Sequence, residues 1–182
     1  MSNYHSNPST TLYTLGRGIM AIGEWSGATP PVAYTDVGNC PRMEVEVTEE
    51  TLAHFSSRSG TRVKDKEVTL ETGYTVNFDL DEMSVANLAK FLRGTISGVK
   101  NHIILANQNL TAEYAIKFIS DNAAGPNEKW EFWRAKLTPG GAFSLIGDEW
   151  SLLSFTGEGL ADVANHSTSE YFTVTFATTT TS

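Results

Sequence analysis

The side chains able to do chemistry in this sequence are few and scattered. His5, His54, His102 and His166 are its four histidines, and none has a second histidine, a cysteine or a paired carboxylate at ligand spacing, so no metal site is indicated. Cys40 is the single cysteine, which excludes an intrachain disulfide and a multi-cysteine metal centre and fits a reducing compartment. Asp79 and Asp81 fall on one strand face with Glu82 following, an arrangement that could hold a cation or act as a carboxylate pair. The simpler reading is a solvated strand face running into an acidic helix start. Gly16-Arg17-Gly18 opens like a dinucleotide-binding loop, but Ala21 stands where the third glycine is needed and no amphipathic helix follows. There is no Gly-x-Ser-x-Gly, P-loop or Cys/His constellation. A Ser-His-Asp triad assembles from distant positions, and nothing points to one. Trp130, Phe132 and Trp133 could stack on a sugar or a base, although large aromatics in strands usually belong to a core or a subunit interface. The expectation is a protein that is not an enzyme and uses no cofactor.

The elements that would position these residues are clearest between Arg42 and Gly94. Met43, Val45 and Val47 alternate with Arg42, Glu44, Glu46 and Thr48, and Tyr74, Val76, Phe78 and Leu80 alternate with Thr75, Asn77, Asp79 and Asp81. This period of two predicts half-buried strands. The polar, charge-mixed run from His54 to Lys66 reads as a long loop between them. From Ser84 to Gly94 the spacing predicts a helix with Val85, Leu88, Ala89 and Leu92 on its buried face, Ser84 as N-cap and Gly94 as C-cap. Asp81 and Glu82 before it, and Lys90 and Arg93 at its end, complement its dipole.

Elsewhere the sequence predicts strands at Leu12 to Trp25, Tyr114 to Phe118, Trp130 to Leu137, Phe143 to Ile146, Glu149 to Phe155 and Tyr171 to Ala177. Turns are expected at Ser26 to Pro31, Gly38-Asn39, Asp121 to Asn127 and Pro139-Gly140-Gly141, and the element type of residues 95–109 stays open. The fold class is therefore mainly β, an antiparallel β sandwich or barrel with one flanking α-helix. A length of 182 residues suits one domain, taken as 12–177, with a polar N-terminal arm at 1–11 and a polar tail at 178–182. A net charge of −8 argues against a protein that grips nucleic acid through its phosphates. No basic start is followed by an apolar run, and no stretch approaches the ~20 apolar residues of a membrane helix, so no membrane partner is expected.

Five stretches together resemble the major tail tube proteins of long-tailed bacteriophages. They are Leu15-Gly16-Arg17-Gly18, the Gly38-Asn39-Cys40-Pro41 turn into the acidic strand from Met43 to Phe55, the Ser56 to Asp65 loop, the Tyr74 to Glu82 strand, and the helix from Ser84 to Gly94. The resemblance covers Leu12 to Gly94, and the C-terminal half matches only in being rich in strands. It implies a structural virion subunit, made in the host cytoplasm, that forms hexameric rings stacked into a hollow tube through which the genome passes. Tape measure, tail terminator and distal tail proteins are its implied partners, with transient, sequence-independent passage of DNA. The long loop of such proteins bridges neighbouring subunits or rings. Here it would comprise Phe55, Ser56, Ser57, Arg58, Ser59, Gly60, Thr61, Arg62, Val63, Lys64, Asp65 and Lys66. Some relatives append an immunoglobulin-like domain, whereas this chain reads as a bare tube subunit.

A lumen that passes a densely charged polymer without trapping it should be acidic. Glu44, Glu46, Glu67 and Glu71 are the positions expected to face it, with Met43, Val45, Val68 and Leu70 directed into the sandwich. The face of Asn77 and Asp79 is the alternative. Two other classes compete with the tube reading: a soluble β-sandwich binding module, and a hydrolase with a dispersed active site.

Overall fold

Ten strands, one α-helix and a 3-10 turn make up residues 10–58, 60–98 and 102–177, the part of the chain described by a computed structural model. The strands are β1 (Gly18–Glu24), β2 (Thr35–Asp36), β3 (Arg42–Ser56), β4 (Val63–Leu80), β5 (Thr95–Ser97), β6 (Ile103–Leu105), β7 (Tyr114–Ser120), β8 (Glu128–Pro139), β9 (Leu153–Gly159) and β10 (Phe172–Phe176), with α1 at Val85–Phe91. Every pairing is antiparallel, so the protein is mainly β with one flanking helix. Eight strands form a single ladder in the order β2-β1-β7-β8-β9-β4-β3, with β10 added on β8.

β8 makes two layers out of this one ladder. Its first half lies between β7 and β10, with Phe132 opposite both Ile116 and Phe172, and its second half pairs with β9 from Ala135 to Pro139. A register irregularity opposite Tyr114/Ile116 marks the crossing. The alternation slips there by one residue. Trp130 and Phe132 therefore face the same core as Ala135 and Leu137, where unbroken alternation would have set them on opposite faces. Met20, Ile22, Ile116 and Phe132 from one layer meet Tyr74, Val76, Phe78, Leu153 and Phe155 from the other, all buried.

Several expected elements shift. The chain from Thr10 to Leu12 is a 3-10 turn and β1 begins only at Gly18; Asn122, buried in the β7–β8 turn, ties down the lead-in by donating to Tyr13 O and accepting from Leu15 N. Residues 95–109 hold the hairpin β5–β6, packed beside the helix. Residues 140–152, expected to carry two strand segments, form an irregular excursion, and β9 starts at Leu153. Residues 1–9 of the N-terminal arm and the 178–182 tail lie outside the described residues.

The helix is capped as its sequence predicts at one end only. Ser84 Oγ accepts from Asn87 N at 3.1 Å, the N-cap bond. At the other end Leu92 is the cap and Arg93 takes the left-handed conformation at φ 48°, while Gly94 is required for a different reason: a Cβ there would run into Leu105 O and Ile104. The buried face is also rotated from the expected one. Val85 is 39% exposed, and Leu92 likewise faces out, whereas Asn87, Ala89 and Phe91 are buried and Leu88 is half-buried. Asn87 explains the rotation, since its Nδ2 donates to Val37 O at 2.9 Å and to Glu82 O at 3.0 Å and so pins the helix to the Gly38 turn. Phe91 then reaches Phe155, with ring centroids 5.7 Å apart.

Asn87→Ala should cost about 1–3 kcal/mol in chemical denaturation, because it strands two carbonyls beside the core. Asn87→Asp would keep the volume and lose the donors, and is expected to fall at or beyond that range; a loss within 0.5 kcal/mol for Asn87→Ala would show that the amide does not hold the helix.

A second anchor lies under β10. The buried Asp162 carboxylate accepts from Asn165 Nδ2 at 2.8 Å and pairs with His166 Nδ1 at 2.7 Å, and the His166 ring stacks on Trp133 with centroids 3.8 Å apart. Burial by itself would raise the pKa of Asp162, but the bonds from Asn165 and His166, with the histidine's charge, hold it below the ordinary value. A lowered folded value means that this stabilisation is full above the unfolded carboxylate range, near pH ~3.9, and is lost as pH falls through the folded value. Trp133 emission should therefore change in the acid limb below about pH 4, and Asp162→Asn should flatten that limb.

Candidate functional site

The long hairpin β3–β4 leaves the body of the sandwich. β9 covers β4 only from Thr75 to Leu80, so beyond Gly73 the two strands continue as a ribbon paired with each other alone. From Thr48 to Ser56 that arm spans roughly 25 Å at about 3.3 Å per residue. Among the described residues, the outer edge of β3 along its whole length and that of β4 from Val63 to Glu71 have no strand partner. The arm also exposes apolar side chains, with Val47 69% accessible and Leu52, Phe55, Val63, Val68 and Leu70 open as well. A two-stranded ribbon with no third layer is marginal in water by itself.

Half of the expected loop is thus strand. Phe55 and Ser56 end β3, Val63, Lys64, Asp65 and Lys66 begin β4, and only Ser57 to Arg62 turn the chain, with Ser59 outside the described residues. Register shifts at Glu50/Thr51 and His54/Phe55 accommodate the extra residues of β4 and add twist. Polar pairs fasten the tip: His54 Nδ1 to Asp65 at 2.5 Å, Lys64 Nζ to Glu67 at 2.6 Å, and the Arg62 guanidinium over the Phe55 ring at 5.2 Å. The hydrogen bond from Lys64, with a second from Thr51, holds the Glu67 carboxyl below its usual range.

The four acidic positions do not share one surface. Glu44 and Glu46 lie opposite Asn77 and Thr75, and further along the same face Glu50 sits directly opposite Glu71. Glu67 belongs to the other face, because the shift at Glu50/Thr51 reverses the alternation of β4 and brings its carboxylate to Thr51 Oγ1 at 2.9 Å, next to the Thr69–Glu49 bond at 2.5 Å. Val68 and Leu70, expected to point into the sandwich, are exposed: the same shift leaves Leu70 as the extra residue and sets Val68 opposite Leu52 on the face of Glu44, and no sandwich lies beneath the arm. Met43 and Val45 do pack against the core. Glu50, missed in the sequence, continues the even-numbered series Glu44, Glu46 and could have been read from strand parity.

The other candidates separate in space. Asp79 pairs with Arg42 at 3.3 Å while Asp81 accepts from Asn39, so they form no carboxylate dyad. The Cys40 thiol is pushed up to about 11, chiefly by burial, and donates to Arg42 O, which makes it a poor nucleophile. Among the described residues no three His, Cys, Asp or Glu side chains gather as metal ligands would. No described helix is long and apolar enough to cross a membrane. A cleft of about 380 Å³ beside the helix holds Glu24, Lys90, Asn109 and Tyr114, but Asn109 is spent on Glu24 and Lys90 on Ala86 O. The aromatic run is occupied too: Phe132 is core and Trp133 is covered by His166, leaving Trp130 half-open.

A family model matches residues 13–115, more than half of the 182. The chain belongs to the family described as protein of unknown function UCP028589. The matched segment of this family runs from the lead-in through the whole arm and the helix to the start of β7. Comparison with curated proteins gives no match.

In the isolated chain, amides of residues 49–70 should exchange with solvent at least tenfold faster than those of 74–80, since the arm opens without disturbing the core. Equal protection of both segments, followed by mass spectrometry, would mean that the arm is held by something within its own chain.

Proposed function

We propose that this chain is a structural subunit of a phage tail tube, assembling into hexameric rings that stack around a lumen for the genome, and that it is not an enzyme. The observation that carries this reading is the β3–β4 arm, a paired ribbon with two unsatisfied edges and apolar residues on both faces. Such an edge is a template for another strand, and natural monomers blunt it with bulges, short strands or covering loops. Here it is long despite its two bulges, and five large apolar residues on it, with Val47 at its root, are left for a neighbour to cover. Each is worth about 1.5–3 kcal/mol when fully buried, enough to offset the ordering of the arm when neighbours close a ring. Edge-to-edge pairing of identical arms around a closed ring leaves no edge over, and stacking of rings gives a tube.

The acidic face of the arm supports the same reading. Glu44, Glu46, Glu50 and Glu71 place like charges along one surface, Glu50 and Glu71 in direct opposition, which weakens the hairpin slightly. A wall of this sign repels a phosphate backbone and leaves it free to slide. The tube would be part of the virion, with the tape measure, terminator and distal tail proteins as further partners.

Electron microscopy of concentrated protein tests the proposal: rings or hollow tubes are expected, with light scattering that rises with concentration. Replacing Ser57 to Lys64 by a tight turn should leave a folded monomer that no longer assembles. A chain that stays monomeric at all concentrations, or a shortened arm that assembles as well as the natural one, would defeat it. In assembled particles, lysine at Glu44, Glu46, Glu50 and Glu71 should slow DNA release, and the same change at Glu67 should matter less.

A further inference from the structure

The excursion from Gly140 to Leu152 places large apolar side chains in water. Ile146 is 95% and Trp150 94% exposed, and Leu145 is nearly as open. Phe143 roots the excursion on the body by packing against Phe91 at 6.0 Å, and Ser151 Oγ donates to Ser144 O at 2.9 Å across its base. An exposed tryptophan beside two exposed aliphatics on a braced excursion is a patch that monomers avoid. Elsewhere on the chain an apolar groove of about 310 Å³ lies open where the two layers part, lined by Gly16, Met43, Val45, Phe118 and Trp130. Trp150 does not fill this groove in its own chain, since it is almost wholly in solvent.

We infer that Trp150 of one copy seats in the Met43–Val45–Phe118–Trp130 groove of a second copy, a head-to-tail contact distinct from the pairing of the arms. Shape and polarity agree, with an aromatic knob on one side and an aromatic and thioether lining on the other. The charges agree as well. Asp148 and Glu149 directly precede Trp150, while exposed Arg17 follows Gly16 on the groove's rim, and none of the three has an ion-pair partner among the described residues. The contact is heterologous, so each copy keeps a free knob or groove for the next and the association propagates. It rests on the assembly reading in requiring copies of this chain to meet, and it adds which residues meet.

Two substitutions on exposed positions test it without disturbing the core. Trp150→Ala removes the knob, and Gly16→Trp fills the groove, since a Cβ at Gly16 meets nothing within 4 Å. Each should raise the concentration needed for association at least tenfold in sedimentation velocity. In a Cys40→Ser background, a Gly147→Cys chain, which keeps Trp150 and whose new Cβ meets only Ser144 Oγ at 3.4 Å, mixed with a Gly16→Cys chain should be joined by a short bismaleimide, and neither chain should be joined to itself. Association of both variants like the natural chain, or cross-links only between identical positions, overturns the contact. So does a Gly16→Trp block with a silent Trp150→Ala, which would give the groove another occupant. Tubes that form regardless of both substitutions would sink this contact and leave the tube reading standing. Association that needs both residues yet builds no tube would do the reverse.

Discussion

Tyr74 is the residue on which the two parts of this protein depend. Its ring lies in the core against Phe132, Tyr171 and Phe172, with centroids 5.3, 5.9 and 5.4 Å away, and its hydroxyl donates to Arg134 O at 2.9 Å. Burial pushes the phenol's pKa well up, so it stays a donor. The ring occupies the space that a side chain at residue 159 would need, and Gly159 is the reason it fits. One residue before it, Gly73 begins the part of the hairpin that no other strand supports. The arm is therefore a long lever rooted in the centre of the core, and Tyr171 secures the root by donating from its hydroxyl to Thr72 O at 2.6 Å.

This division of labour is consistent with a subunit built to associate. The body satisfies itself: among the described residues no buried side-chain nitrogen or oxygen lacks a partner, and the layers share an aromatic core. The arm and the Trp150 excursion do not, and leave backbone edges and apolar surface to be covered. Holding the unsatisfied surface on two excursions keeps its cost local, because each can fluctuate without unfolding the core. The bulges in the arm and the opposed Glu50 and Glu71 make indiscriminate edge pairing less favourable.

The sequence by itself determined the mainly β class, the alternating segments at Met43–Val47 and Tyr74–Leu80, the Ser84 cap, and the glycine turn at residue 38, where φ is +83°. These are local matters: period two, a side-chain oxygen beside an orphan amide, a backbone angle that only glycine adopts cheaply. Tertiary structure alone decided what followed from pairing. Residues 54–56 and 63–66 look like loop because they are polar, yet each strand's backbone supplies the other's hydrogen bonds. Glu67 left the face of Glu44 because one bulge reversed the alternation, and the core residues of β8 changed parity where that strand crosses between layers. The helix turned its Asn87 side inward because the carbonyl of the distant Val37 converges there with that of Glu82 just before the helix, which spacing along eleven residues cannot reveal. Register, bulges and the demand of buried carbonyls for a donor are properties of two segments meeting, and no single segment encodes them.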